Sequence, residues 1–249
     1  MNSLETNNIG KAFGKLVVAD NVSLALPQGA RHALIGPNGA GKTTLINLIT
    51  GTLAPDTGTV LLNGEDVTRL EPNARVKRGL SRTFQINTLF PQLTPLESAV
   101  VAICERNGTS VHWLSGLSKH TEAIDEAHDL LSKVGLGDDA VKPTRDLAYG
   151  QQRLLEIALA LASRPKVLLL DEPAAGVPKS ESAALFEVIA ALPEDISILF
   201  IEHDMNLVFS FASRITVLVQ GAILTEGTPD EIAHDPRVRE VYLGGAHHG

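Results

Sequence analysis

The chain has 249 residues, 44% apolar and 20% charged, which is the make-up of a packed globule and lies outside the low-hydrophobicity range of chains that stay disordered. That length holds one large domain, with or without a subdomain, and excludes a multidomain machine on a single chain. Its 21 basic residues face 29 acidic ones, and a net charge of −8 is the wrong sign for binding that rests on neutralising nucleic-acid phosphates, so no nucleic-acid partner is expected.

Along the chain, Met1 to Gly10 has no apolar stretch behind basic residues, so no secretory signal is expected there. Leu16–Leu26 and Thr59–Asn63, set off by the turn signals Pro27-Gln28-Gly29 and Asn63-Gly64, suggest an antiparallel ribbon. Short apolar runs at Ala33–Ile35, Val167–Leu170, Ile198–Ile201 and Ile215–Val219 lack polar alternation and predict buried parallel strands. Helical stretches at Lys42–Thr50, Gln151–Ser163, Lys179–Leu192 and Met205–Ala212 alternate with them, which is an α/β plan with a mostly parallel sheet. From Pro95 to about Ser163 no strand is legible, so this stretch is expected to be a helical insertion. No apolar run approaches the ~18 to 20 residues of a membrane-spanning helix. Cys104, the single cysteine, forms no internal disulfide and is expected to be a buried thiol. His247 and His248, in a Gly-flanked tail, are given no function.

The decisive local pattern is Gly36-Pro37-Asn38-Gly39-Ala40-Gly41-Lys42-Thr43-Thr44, a Gly, four residues, then Gly-Lys-Thr, between a predicted strand and a predicted helix. Glycines let the backbone approach phosphates closely, the helix N-terminus adds partial positive charge, and Lys42 adds a full one. Thr43 offers a hydroxyl to Mg²⁺. The spacing predicts a nucleotide triphosphate site. The run Val167-Leu168-Leu169-Leu170-Asp171-Glu172 is an apolar strand ending in two acids at the edge where α/β ligands bind. Asp171 is placed to hold Mg²⁺ and Glu172 to polarise an attacking water.

Upstream stands Leu147-Ala148-Tyr149-Gly150-Gln151-Gln152-Arg153, which resembles the signature motif of ATP-binding-cassette (ABC) ATPases. Phe13 before Gly14, Gln85 after Arg82-Thr83-Phe84, and His203 after Phe200-Ile201-Glu202 then match, in order, that family's adenine-stacking aromatic, Q-loop and switch histidine. The strings Asp171 to Gly176, Glu202 to Met205, Gly227-Thr228-Pro229 and Tyr242-Leu243-Gly244 are similar to the ATPase subunits of branched-chain amino acid importers. Urea, amide and lipopolysaccharide systems carry close variants, and a soluble non-transport cassette is the alternative outside transport.

The resemblance implies a single cassette over 1–249. A nucleotide-binding core would span 1–84 and 165–249, with a helical subdomain at 85–164. It implies ATP and Mg²⁺ as cofactors, with Thr43, Gln85 and Asp171 at the metal and Glu172, His203 and Gln85 in catalysis. Two subunits, identical or related, would pair head to tail so that Ala148, Tyr149, Gly150 and Gln151 of one face the nucleotide held by Gly36 to Thr44 of the other. Partners would be membrane permease subunits and, indirectly, an external solute-binding protein, with the chain held peripherally on the cytoplasmic face. Two departures stand out. Ala148 replaces the family's usual Ser, and Gly176-Val177-Pro178 is one residue shorter than the usual D-loop and lacks its Asp or Asn.

Overall fold

The computed structural model describes residues 1–83, 89–109 and 121–243. Strands β1 (Asn2–Phe13) and β2 (Leu16–Pro27) form a long antiparallel hairpin that turns at Gly14, where φ is 61°. β4 (Thr57–Leu62) pairs with the other edge of β1, and β5 (Glu65–Asp66) follows, so the order is β2-β1-β4-β5. The expected antiparallel ribbon is present, with β1 lying between the strands of Leu16–Leu26 and Thr59–Asn63. β1 shows no apolar run. Leu4 and Ile9 point inward, and a register shift between Thr6 and Ile9 breaks its alternation at Asn8, which has φ 49°.

The second sheet runs β10 (Ala222–Gly227), β9 (Arg214–Val219), β3 (Arg31–Ile35), β8 (Ser197–Ile201), β7 (Val167–Asp171) and β6 (Leu80–Arg82). All pairings are parallel except β10 with β9. The buried strands send alternate residues to opposite faces. Leu34, Leu169 and Leu199 pack toward the antiparallel sheet and helix α1 (Lys42–Thr50), while Ala33, Leu170 and Phe200 join the cluster on the other face. That second cluster also takes Leu155 of α5 (Tyr149–Ala162), Phe186 of α6 (Lys179–Ala190) and Val208 of α7 (Met205–Phe211). Phe186 meets Phe200 edge to face at 5.5 Å between ring centroids.

The stretch after Pro95 is helical as expected, with α3 (Pro95–Arg106), α4 (Thr121–Lys133) and then α5, and no strand among its described residues. Thr94 and Glu97 cap α3 reciprocally, with Pro95 in the first turn, which is a sequence-legible start signal. Val100 and Leu131 share the apolar cluster of Phe200, so these helices rest on the sheet. Cys104 is buried. After a short helix α2 (Pro72–Val76) the chain enters β6, and after β10 it closes with α8 (Pro229–His234) and α9 (Pro236–Leu243). His247 and His248 lie outside the described residues. No described helix is long and apolar enough to cross a membrane.

β3 lies between β8 and β9, so connections leave its two sides in opposite directions and open a crevice at its carboxyl end. The loops that follow β3, β8 and β7 therefore converge on one rim.

Candidate active site

The loop after β3 has φ of 155° at Gly36, 78° at Gly39 and 101° at Gly41. A Cβ on Gly36 would lie 2.1 Å from the Leu218 carbonyl oxygen, and one on Gly41 would lie 2.6 Å from that of Val18. Both positions accept glycine alone, because the loop is wedged against β9 and β2. Gly41 is also the N-cap of α1 and makes no side-chain cap bond, so the first amides of the helix remain available to an anion.

Lys42 is buried, and its Nζ donates to the carbonyls of Gly36 at 2.7 Å and Pro37 at 3.1 Å. An ammonium has three donors, so one remains to reach a phosphate. Burial lowers the Lys42 pKa, and the carboxylates of Glu172 and Asp171 act against that shift. The far end of α1 is anchored by Arg75, which is fully buried and donates to the carbonyls of Leu48 and Ile49 at 2.9 and 2.6 Å.

A cavity of about 610 Å³ is lined by Asn38, Gly39, Ala40, Gly41, Lys42, Thr43 and Thr44, by Glu172 and His203, and by Leu16 to Val18 and the Gln220-Gly221 turn. The structure thus gathers the phosphate loop and two of the three expected catalytic side chains, Glu172 and His203. Glu172 directly follows β7 with φ 50°, an uncommon value for a residue with a side chain, and its Oε1 lies 2.7 Å from His203 Nε2. Glu202 ties the two loops together. Its Oε1 accepts from the Ala174 amide at 2.8 Å and its Oε2 from the His203 amide at 3.1 Å, while burial pushes its pKa up.

Asp171 ends β7 and does not line this cavity, and its Oδ2 accepts from Arg82 Nη2 at 2.7 Å. Arg82 also reaches Asn47 Oδ1 on α1 at 2.8 Å. The oxygen donors of Thr43 and Asp171 suit Mg²⁺, which binds through one or two carboxylates, phosphates and water. Among the described residues no group of three His, Cys, Asp or Glu could hold a metal without such phosphates. Gln85 lies outside the described residues. Phe13 is 54% exposed, with the Lys11 ammonium 5.7 Å from its ring centroid, and stands beside the cavity's Leu16 across the hairpin without lining it.

The signature residues lie away from this cavity, since none lines it. α5 starts at Tyr149, two residues before the expected Gln151, with Ala148 as N-cap. Gln151 Oε1 accepts from the Ala148 amide at 3.0 Å, and its Nε2 donates to Asp139. Gly150 faces Glu181, whose Oε2 would lie 3.0 Å from an added Cβ, and the Tyr149 ring covers Gly176. Arg82, Glu202 and Arg153 stand inside the motif strings with no role expected of them. An acid directly after an apolar strand was the available signal for Glu202. Tyr242 of α9 reaches the backbone of Gly36, and burial pushes its phenol up to about 12. No sequence signal linked those two.

A phosphate loop at the switch point of a parallel sheet, facing a carboxylate and histidine from the next two strands, defines a P-loop nucleoside triphosphatase. The ABC transporter family model matches residues 19–175, and a branched-chain amino acid ATP-binding cassette transporter model matches residues 222–248. The high-affinity branched-chain amino acid transport ATP-binding protein BraF of Pseudomonas aeruginosa is 39% identical, over 98% of each chain. LivG of Escherichia coli, described in the same words, is 41% identical over the same shares. The ADP conformation of MJ1267, an ATP-binding cassette of an ABC transporter, superposes with a TM-score of 0.88 at 33% identity, over 98% of this chain and 99% of that one. A dimeric post-hydrolysis structure of the cassette MJ0796 with ADP and Pi gives 0.74 at 25% identity, over 91% and 98%. The chain belongs to the ABC transporter ATPase family, in the branch of the branched-chain amino acid transport ATP-binding proteins.

Proposed function

We propose that this chain binds and hydrolyses ATP to energise import of branched-chain or related hydrophobic amino acids, from the cytoplasmic face of the membrane. The observation that carries this reading is one cavity holding Lys42, Glu172 and His203 while the signature residues lie elsewhere on the same chain. A site that needs both halves takes them from two chains. In that arrangement Lys42 and the α1 amides bind the phosphates, and Phe13 stacks on the base. Glu172 orients a water for attack on the γ-phosphorus, giving ADP and phosphate, and His203 holds Glu172 and contacts the γ-phosphate. Thr43 and Asp171, with Gln85, would hold Mg²⁺, which supplies charge neutralisation to the phosphates.

The signature helix presents the free amides of its first turn to the partner's nucleotide. Ala148 brings no hydroxyl there and the loop Gly176-Val177-Pro178 is short, which favours pairing with a related ATPase that supplies the stronger half. A second cavity, of about 570 Å³ and walled by Val76, Leu89, Phe90 and Leu159, opens between the sheet and the helical segment. Its exposed Phe90 and Val76 suit the apolar face of a short permease helix. The substrate class rests on the 39% and 41% identical relatives and on the C-terminal family match.

Glu172→Gln tests the reading. Solute uptake and ATP turnover should both fall to background while ATP binding persists. Uptake that persists with turnover intact would refute it.

A further inference from the structure

Arg82 ends β6, the strand beside β7, and its guanidinium reaches two elements of the nucleotide site at once. Nη2 donates to Asp171 Oδ2 at 2.7 Å, at the end of β7, and Nη1 donates to Asn47 Oδ1 at 2.8 Å, on α1. Asn47 follows Thr43 by four residues, so the two share one face of α1, a turn apart. One planar group therefore spans from the helix that carries the Thr43 hydroxyl to the strand that carries the Asp171 carboxylate. Among the described residues Asp171 Oδ1 accepts no hydrogen bond, so Arg82 takes one carboxylate oxygen and leaves the other open.

Holding the two strands together does not explain this contact. β6 and β7 are already joined by their ladder and by the Thr83 amide, which donates to the Leu169 carbonyl at 3.0 Å. Both side chains of the pair are 23% exposed, and ion pairs that water still reaches add little to stability. Charge alone does not require an arginine. A lysine ammonium would neutralise Asp171 as well, whereas the rigid fork of arginine fixes the directions of two bonds to two acceptors together. Carboxylates that take a metal are themselves held by hydrogen bonds of this kind, which orient them.

We propose that Arg82 is a positioning residue of the Mg²⁺ site: bridging Asn47 and Asp171, it sets the β7 carboxylate against Thr43 and leaves Oδ1 for the ion. This rests on the reading that Thr43 and Asp171 hold Mg²⁺, and adds the residue that fixes their spacing. The phosphate loop and Lys42 bind ATP without Arg82, so only the contribution of the metal depends on it.

The test is a fluorescent ATP titration in the Glu172→Gln background, which binds without turnover, run once with excess Mg²⁺ and once with EDTA. The parent should bind more tightly with Mg²⁺, and Asp171→Asn should remove most of that gain. Arg82→Met should weaken binding with Mg²⁺ about tenfold, the loss typical when a metal ligand is deprived of its hydrogen-bond partner, while affinity in EDTA stays within about twofold of the parent. Arg82→Lys, which keeps the charge without the fork, should weaken it equally. Thermal midpoints without nucleotide should stay within about 4 °C of the parent. A full Mg²⁺ gain in either Arg82 variant, tighter binding with Mg²⁺, or equal losses in Mg²⁺ and EDTA overturns the inference alone. A parent indifferent to Mg²⁺, or one whose gain survives Asp171→Asn, overturns the reading of the metal site and this inference with it.

Discussion

Ala148→Ser should stabilise the isolated chain, and the gain can be worked from the start of α5. Ala148 sits at the N-cap with φ −60° and ψ 155°, the extended geometry a capping residue adopts. Half of a capping box already exists, since Gln151 Oε1 accepts from the Ala148 amide at 3.0 Å. The first intrahelical bond is Gln152 N to Ala148 O at 3.0 Å, so the Gln151 amide one residue earlier is the donor a serine hydroxyl would take. Serine in place of alanine at such a cap gives about 1 kcal/mol. In a chain of this size that corresponds to a rise of about 2 to 4 °C in thermal midpoint. Calorimetry of the two proteins without nucleotide reads it, with Gln151→Ala as the control that removes the existing half and should lower the midpoint. A midpoint for Ala148→Ser equal to or below the parent would refute this account of the helix start, and with it the view that the signature amides are left open.

Further outcomes follow from the same geometry. Gly41→Ala places a Cβ 2.6 Å from the Val18 carbonyl oxygen at a φ of 101°, so the loop must deform; fluorescent ATP titration should show no saturable binding. Phe13→Ala removes an exposed stacking surface and should weaken ATP by about 1 to 3 kcal/mol, seen in the same titration and absent if the aromatic plays no part. His32 is fully buried, with Nε2 donating to Thr216 Oγ1 at 2.7 Å, while that hydroxyl donates to Glu226 at 2.9 Å. Burial lowers His32 from 6.5 to about 4. The unfolded chain therefore binds the proton first, and stability is lost as pH falls through 6.5. Between about pH 7 and pH 5 urea melts should lose roughly 2 kcal/mol, and His32→Gln should flatten that slope.

The parallel core was legible because its strands are buried on both faces and show as uninterrupted apolar runs. β7 and β8 needed nothing more. The phosphate loop was legible because Gly36, Gly39 and Gly41 answer to backbone conformations and close contacts that other residues cannot meet. β1 and β6 escaped notice for the opposite reason. β1 spends its positions on Asn, Thr and Lys with a bulge at Asn8, and β6 is three residues with Ser81 and Arg82 in it. The strand that separates β2 from β4 was therefore missed. In the site, Glu172 and His203 could be placed by position, since each directly or nearly follows an apolar strand. Their mutual contact at 2.7 Å could not, because it depends on which strands are neighbours. The grip of Arg82 on Asp171 comes from β6 lying beside β7, and that adjacency has no local signal.

The proposed nucleotide site is completed by a second cassette. Size-exclusion with light scattering on Glu172→Gln, alone and with a co-expressed partner ATPase, measures this directly. ATP with Mg²⁺ should shift the protein to the mass of two cassettes, and ADP should leave it as one. A single-cassette mass with ATP in both settings would contradict the shared site.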